Sequence, residues 1–487
     1  MTVEHKPKTH LPKHLFASLK NSLLIRLLTA GRRLEEKEYR PFATSRVAGI
    51  LSRPTLRICR ETESILSPIT PHVKKFTPLW LLPLFFIGII INPRLAVGPT
   101  YMESYEFLIL AMSVSWALML TVKNAPIRWT RLDTFITFFM VAVLLSFINT
   151  PSITESIRAF YWLTLAVLLY FIVVNNTSHL DDFIPYHTAL FISSTIMAII
   201  GIINFLFEGP HRIDTILDPV ITGDYLLMSM LITSALLTQT SPKKKTTLYS
   251  GYLIQIAALI LTGTRMAIFV GGLALILIMR LKKITQKRVT IMLSSLIIFA
   301  IATSIILSII PAAMLPSTLK TLINPTQRTA NIPSLNGRFD AWAITSQIIS
   351  QPIIGHGFGP QSFVKAEGAL RQMPENITAL SPQYRYYIWF DHPHDIFLSV
   401  FFDTGIIGLL LFLLILREIT KQTAVGLKAH VDARSNAVIL GAGLAVGVYF
   451  THGLVDLVLY RRELTFLLFY AFAVIRCSAH LSHADTS

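Results

Sequence analysis

The turn at residues 391–395 (Asp-His-Pro-His-Asp) carries side chains well suited to proton transfer. Neutral imidazole can accept a proton near pH 7. The turn runs directly into a long apolar segment, so it is predicted to lie where a membrane-spanning helix begins. We identify His394 as the candidate base, and Asp391, Asp395 and His392 as candidates to orient or support its ring.

Two other interpretations of this turn stay open on the local evidence. His394 could be a hydrogen-bonded histidine at a membrane interface, and the turn could contribute ligands to a metal site. A metal site needs further ligands, and the sequence offers no other cluster of His and Glu to complete one. We therefore predict no metal here.

Two arginines are candidates for binding an anion. Arg265 ends the stretch Thr262–Arg265, which joins two apolar segments with almost no loop between them. An arginine near hydrocarbon is costly without a partner, and its fork of donors suits a diphosphate. Arg338 is predicted to open a helix, whose free N–H groups favour anions. The alternatives are a snorkelling side chain for Arg265 and a solvated one for Arg338.

The composition is that of an integral membrane protein. The chain has 487 residues, 53% hydrophobic and 14% charged, whereas a soluble domain has about 25% charged residues. The net charge of +16 lies in an N-terminal arm and in short loops, which is typical of the positive-inside rule and not of a nucleic-acid-binding protein. Cys59 and Cys477 both fall on the predicted cytoplasmic side, so a structural disulfide is not expected.

Apolar segments long enough to span a membrane recur along the chain, and we predict about twelve spans. Their approximate bounds are 77–93, 104–122, 132–149, 157–174, 183–207, 219–238, 247–263, 266–281, 289–310, 395–416, 434–458 and 463–480. The placement of Lys and Arg predicts that both termini are cytoplasmic.

This arrangement divides the chain into five parts. We predict a basic cytoplasmic arm without a cleavable signal peptide, then nine spans, one large outer loop, three further spans and a short cytoplasmic tail. Their bounds are 1–75, 76–310, 311–394, 395–480 and 481–487.

The outer loop is predicted to be a folded cap on the membrane surface. Residues Arg338–Ser350 have the pattern of an amphipathic helix, and tight turns are expected at 355–359 (Gly-His-Gly-Phe-Gly). Within the apolar segments, His452 and Asp456 are four residues apart and could form a pair, and Asp224 is a further ionisable residue. Such residues inside a membrane suggest function, although a structural polar contact explains them equally well.

Three sequence signatures resemble those of the O-antigen ligase and O-antigen polymerase superfamily of bacterial membrane glycosyltransferases. The first is Thr262–Arg265, in which Met266 follows where relatives often have glycine. The second is Gly337-Arg338 with Trp342 and the glycine-rich 355–359. The third is His394–Leu398, where relatives often have asparagine in place of Asp395, and it is followed by Gly405-Ile406-Ile407-Gly408.

The resemblance implies an all-α, GT-C-like fold of about twelve transmembrane helices with one large periplasmic loop. It also implies a reaction without nucleotide or metal cofactor, in which a glycan leaves undecaprenyl diphosphate for the lipid A–core of lipopolysaccharide or another glycan acceptor. His394 would take the proton from the acceptor hydroxyl, and Arg265 and Arg338 would bind the diphosphate. The implied setting is the bacterial inner membrane.

Two other functions remain open from the sequence. A polymerase of O-antigen or exopolysaccharide repeats would share these signatures. A transporter or flippase for lipid-linked sugars would suit the number of spans, but transporters usually show two related halves. The sequence shows no such halves, and its candidate polar residues gather at one surface.

Overall fold

The computed structural model describes eleven segments of the chain. They are residues 77–91, 94–97, 100–123, 127–207, 217–239, 242–264, 267–272, 333–372, 390–429, 433–456 and 458–484. Two of the predicted regions, the arm 1–75 and the span 289–310, therefore lie outside the described residues.

The described residues form helices with one small hairpin. The helices are α1 (Leu82–Ile91), α2 (Ser104–Lys123), α3 (Arg131–Ser146), α4 (Ile153–Asn176), α5 (Phe183–Phe207), α6 (Pro219–Thr233), α7 (Leu236–Gln239), α8 (Pro242–Leu261), α9 (Pro333–Ile348), α10 (Pro360–Arg371), α11 (Ile396–Ala429), α12 (Ala433–Gly453) and α13 (Arg462–Ala484). Short 3₁₀ turns precede α1 and α5 and follow α3.

Seven helical segments within the described residues are long and apolar enough to cross a membrane, which confirms an all-α membrane protein. They contain α2, α3, α4, α5, α6, α11 and α12. Helices α1, α8 and α13 also occupy predicted spans. The predicted total of twelve stays a prediction.

One element differs from the all-α expectation. Strands β1 (Arg94–Val97) and β2 (Thr100–Glu103) pair antiparallel, with Arg94 opposite Glu103. A connection this short between two antiparallel strands closes as a hairpin through local backbone hydrogen bonds. The hairpin leads directly into α2.

The bundle is built around its last three helices, α11, α12 and α13. Helix α11 packs against α3, α12 and α13, while α13 also packs against α4, and α12 against α6. Large aromatic side chains such as Tyr170, Tyr225 and Tyr470 are fully buried between them. Large apolar side chains, including Val114 and Leu410, stay exposed on the flanks. A soluble monomer rarely exposes such a surface, and lipid would cover it in a membrane.

Helix α11 is interrupted near its start, and the glycine-rich segment packs into the interruption. Gly405 has φ of 66° and ψ of −169°, which breaks the helical hydrogen bonding. Ile406 N–H then donates to the carbonyl of Pro352 at 2.8 Å, and His356 N–H donates to that of Phe402 at 2.8 Å. The exposed backbone groups of the broken helix are thus satisfied by residues 352–356.

The contact between the glycine-rich segment and α11 leaves no room for a side chain at Gly355. Its φ is +79°, and a Cβ there would lie 2.3 Å from the carbonyl oxygen of Asp403. We expect Gly355→Ala to destabilise the fold by about 1–3 kcal/mol through the backbone conformation alone, with the overlap adding to this. Unfolding of the purified proteins in detergent would measure the difference.

Gly447→Ala is the matched control for this substitution. No atom lies within 4 Å of a Cβ built on Gly447, and alanine in a helix is favoured over glycine by about 0.5–1 kcal/mol. Equal stability of the two variants would contradict the proposed role of Gly355.

Candidate active site

The turn that carries His394 is held by contacts on both sides. The N–H of Phe390 donates to both carboxylate oxygens of Glu367, at 2.9 and 3.2 Å. After the turn, the N–H of Leu398 donates to Asp395 Oδ1 at 2.8 Å. His394 itself has φ of 55°, a left-handed conformation that no other non-glycine residue in the described part of the chain adopts. This uncommon backbone conformation sets the direction in which the imidazole of His394 points.

Asp395 caps α11 through its side chain, which accepts the N–H of Leu398. Aspartate is a favoured N-cap because its side chain accepts a free N–H of the first helical turn. Its burial raises the pKa of the Asp395 carboxyl, although the N–H groups of Leu398 and Phe397 act in the other direction. Asp395 therefore caps the helix that follows the turn, and its predicted role in orienting or supporting His394 stays a prediction.

The carboxylate that faces His394 belongs to Asp456. Asp456 Oδ1 lies 3.6 Å from His394 Nδ1 and 3.4 Å from His392 Nε2. The two imidazole rings lie side by side, with centroids 4.0 Å apart. The sequence offered His452 as a possible partner of Asp456, but the structure places the Asp456 carboxylate against the histidine turn, because α12 ends at Gly453 and a turn then carries Asp456 toward residues 391–395.

Asp391 contacts His392 and not His394. Its Oδ1 lies 2.5 Å from His392 Nδ1, a close contact between a carboxylate and an imidazole of the charge-assisted kind. Burial by itself would lower the pKa of His392, but the carboxylates of Asp391 and Asp456 outweigh this and raise it. Burial would conversely raise the pKa of Asp456, yet its interactions with His392 and His394 hold it well below the usual range. The turn and Asp456 thus form one electrostatic unit.

A second pair of ionisable residues, Asp224 and His452, is buried in the bundle. His452, on α12, contacts Asp224, on α6, through Nδ1 and Oδ2, and both side chains are about 3% exposed. The neighbouring Gly223 packs closely on the Thr262–Thr264 turn, since a Cβ there would lie 3.0 Å from Thr264 Oγ1. The two ionisable residues that the sequence singled out separately are therefore partners, and the threonine turn of the first signature abuts them.

Arg338 reaches the segment that carries Asp456. Its Nε donates to the carbonyl oxygen of Val455. Arg338 does not open a helix as predicted, because α9 begins five residues earlier at Pro333, a residue well suited to a first helical turn. The anion-binding argument from a helix N-terminus therefore does not apply to it. Arg265 lies outside the described residues.

The glycine-rich segment is tied to the same end of the bundle. The hydroxyl of Tyr460 donates to Asp403 on α11 and accepts the N–H of Gly359 at 2.9 Å. Asn149 Nδ2 donates to the carbonyl of Gly355 at 2.9 Å. These contacts join the ends of α3, α11 and α12 to the segment before α10. Tyr460 lies four residues after Asp456, so these contacts anchor the chain close to that carboxylate in sequence.

The arrangement suits proton transfer from a substrate hydroxyl. A neutral imidazole carries its proton on one nitrogen and accepts on the other. If Asp456 holds the proton on Nδ1 of His394, Nε2 is left to act as the base, which is the logic of a histidine oriented by a carboxylate. Asp456 was singled out from the sequence only as an intramembrane acid. Its partner could not be read from spacing, because the two residues are 62 positions apart.

Comparison with known protein families supports the resemblance seen in the signatures. Residues 251–413 match the family model described as O-Antigen ligase. His394, Arg338 and Arg265 fall within the matched segment, whereas Asp456 lies beyond it. No curated protein matches the chain. The chain is a multi-pass membrane protein whose residues 251–413 are similar to the O-antigen ligase family.

Proposed function

We propose that this protein is an O-antigen ligase-type glycosyltransferase. It moves a glycan from undecaprenyl diphosphate to the lipid A–core of lipopolysaccharide, or to a related acceptor, on the periplasmic face of the bacterial inner membrane. The observation that carries the proposal is the contact of His394 with Asp456 at one end of a helical bundle, within a chain that matches the O-Antigen ligase family model.

In the proposed reaction, the acceptor hydroxyl lies against Nε2 of His394. Its oxygen attacks the anomeric carbon of the donor sugar while its proton passes to Nε2. The bond from the anomeric carbon to the diphosphate oxygen breaks, and the electron pair leaves with undecaprenyl diphosphate. Attack opposite to the leaving group inverts the anomeric centre. Asp456 stabilises the imidazolium that forms.

Charge develops on the diphosphate as it leaves, and cationic donors would stabilise it. The position of Arg338 supports this role, because its Nε donates to the carbonyl oxygen of Val455, the residue before Asp456. We assign the same role to Arg265 from its signature alone. No step in this scheme needs a nucleotide or a metal ion.

The proposal is tested by deleting the gene in its bacterial host and comparing lipopolysaccharide with the undecaprenyl-linked glycan pool. A ligase predicts a bare lipid A–core together with long polymer retained on undecaprenyl diphosphate. Cores that carry single repeats would instead identify a polymerase. Unchanged pools would rule out both the ligase and the polymerase, and would favour the transporter interpretation. Complementation with the wild-type gene controls for effects on neighbouring genes.

A further inference from the structure

Two imidazole nitrogens converge on one carboxylate oxygen in this structure. His392 Nε2 and His394 Nδ1 lie 3.4 and 3.6 Å from Asp456 Oδ1. Both nitrogens are buried, and neither has a hydrogen-bond partner among the described residues. A nitrogen lone pair directed at a carboxylate is unfavourable unless a cation lies between them. A proton can supply that charge for either histidine, and a metal ion can supply it for both at once.

Two of the three separations between the ligand atoms fit a tetrahedral transition-metal site. Nitrogen and oxygen ligands bind Zn²⁺ at about 2.0–2.1 Å, which places neighbouring ligand atoms about 3.4 Å apart. The two measured nitrogen-to-oxygen distances are close to that value. They are longer than the usual hydrogen bond, so the three atoms leave room for a shared ion when neither contact holds a proton.

Asp391 supplies the support that a metal-binding histidine requires. Its carboxylate lies 2.5 Å from His392 Nδ1, so Nδ1 donates its proton and Nε2 presents a lone pair toward Asp456. Histidines that bind zinc commonly donate their other ring N–H to a carboxylate in this manner.

The cluster is also open to ions from solution. The side chain of Asp391 is 73% exposed, while those of His394 and Asp456 are 27% and 21% exposed and that of His392 is 7% exposed. An ion can therefore approach past Asp391 and His394 and end against the buried nitrogen of His392.

We propose that His392, His394 and Asp456 bind a divalent transition-metal ion of the Zn²⁺ class, with Asp391 orienting His392. The sequence argued against a metal because no ligand beyond the turn was evident, and Asp456 is the ligand that the fold adds. The site is inhibitory, and this consequence rests on the proposed function. A metal on Nδ1 of His394 leaves the proton on Nε2, so the imidazole can no longer accept one from a substrate.

Direct binding tests the site without any need for activity. The purified full-length protein, stripped of metal with a chelator, is titrated with Zn²⁺ by calorimetry and with Co²⁺ by visible absorption. We expect the wild type to bind one ion more than His392→Ala or Asp456→Asn, with Co²⁺ bands of a tetrahedral site that both variants lose. Asp391→Asn should weaken binding about 10–100-fold.

His179→Ala is the matched control, since His179 lies before α5 in another part of the fold and the variant should bind as the wild type does. Equal stoichiometry and affinity in the wild type, His392→Ala and Asp456→Asn would overturn the site. Size-exclusion profiles check that each variant is folded.

A transfer assay at increasing Zn²⁺ then tests the inhibition separately. We expect Zn²⁺ to inhibit the wild type over the range in which it binds, and to inhibit His392→Ala less relative to that variant's own rate. Binding without any transferase activity would reject the proposed function and leave the site standing. Full transfer activity of the metal-loaded protein would overturn inhibition.

Discussion

His394→Ala is expected to lower the rate of glycan transfer by about 10²–10⁴-fold, the usual contribution of a positioned general base. The variant should reach the membrane in normal amounts, since the side chain is partly exposed and its loss removes little packing. The measurement is transfer from a lipid-linked donor to acceptor by the purified protein, together with rescue of the deletion strain.

Asp456→Asn tests the group that orients the base while leaving the proposed base, His394, in place. Asparagine keeps the size of the side chain but removes the charge that stabilises the imidazolium, so kcat should fall while KM changes little. His179→Ala serves as a control for replacing a histidine elsewhere in the chain. Normal transfer by His394→Ala at wild-type protein levels would remove His394 from the chemistry, and the base would then lie elsewhere.

Breaking the buried pair of Asp224 and His452 is expected to cost more stability than any other single change considered for this protein. Both side chains are about 3% exposed and join α6 to α12. Removing one partner leaves a polar or charged group buried without compensation, which typically costs about 3–5 kcal/mol. The measurement is reversible unfolding of the protein in mixed micelles.

The double variant Asp224→Ala, His452→Ala gives the control. Because it leaves no unpaired charge behind, its cost should be well below the sum of the two single variants. Asp224→Asn tests the charge alone, since its amide keeps the volume of the side chain. Strictly additive losses would show that the two residues contribute independently and would contradict the pairing.

Part of the candidate site was predictable from local sequence. The histidine turn precedes a long apolar run, so its position at a helix start followed from segment length. The extra helix in the large loop was expected near Arg338–Ser350, and α9 is found at Pro333–Ile348. Its earlier start moves Arg338 into the second helical turn, a shift that a single proline explains.

The interrupted start of α11 was harder to foresee. Gly405 stands in an apolar run that reads as one continuous helix, and the residues that satisfy its broken backbone come from about fifty positions earlier, as the Pro352 contact shows. Local propensity carries no information about such a partner. The glycines of 355–359 indicated tight turns, but not what the turns pack against.

The sequence by itself determined that this is a helical membrane protein and where its apolar helices run. It also identified the histidine turn as the candidate site for chemistry. Both follow from hydrophobic length and helix-start chemistry, which are local properties of the sequence. Only the tertiary structure decided which carboxylate serves that turn. Asp391 faces His392, Asp395 caps a helix, and Asp456 reaches His394. Those pairings depend on how α11 and α12 pack and where α12 ends, and contacts between residues distant in the chain are set by packing and not by spacing.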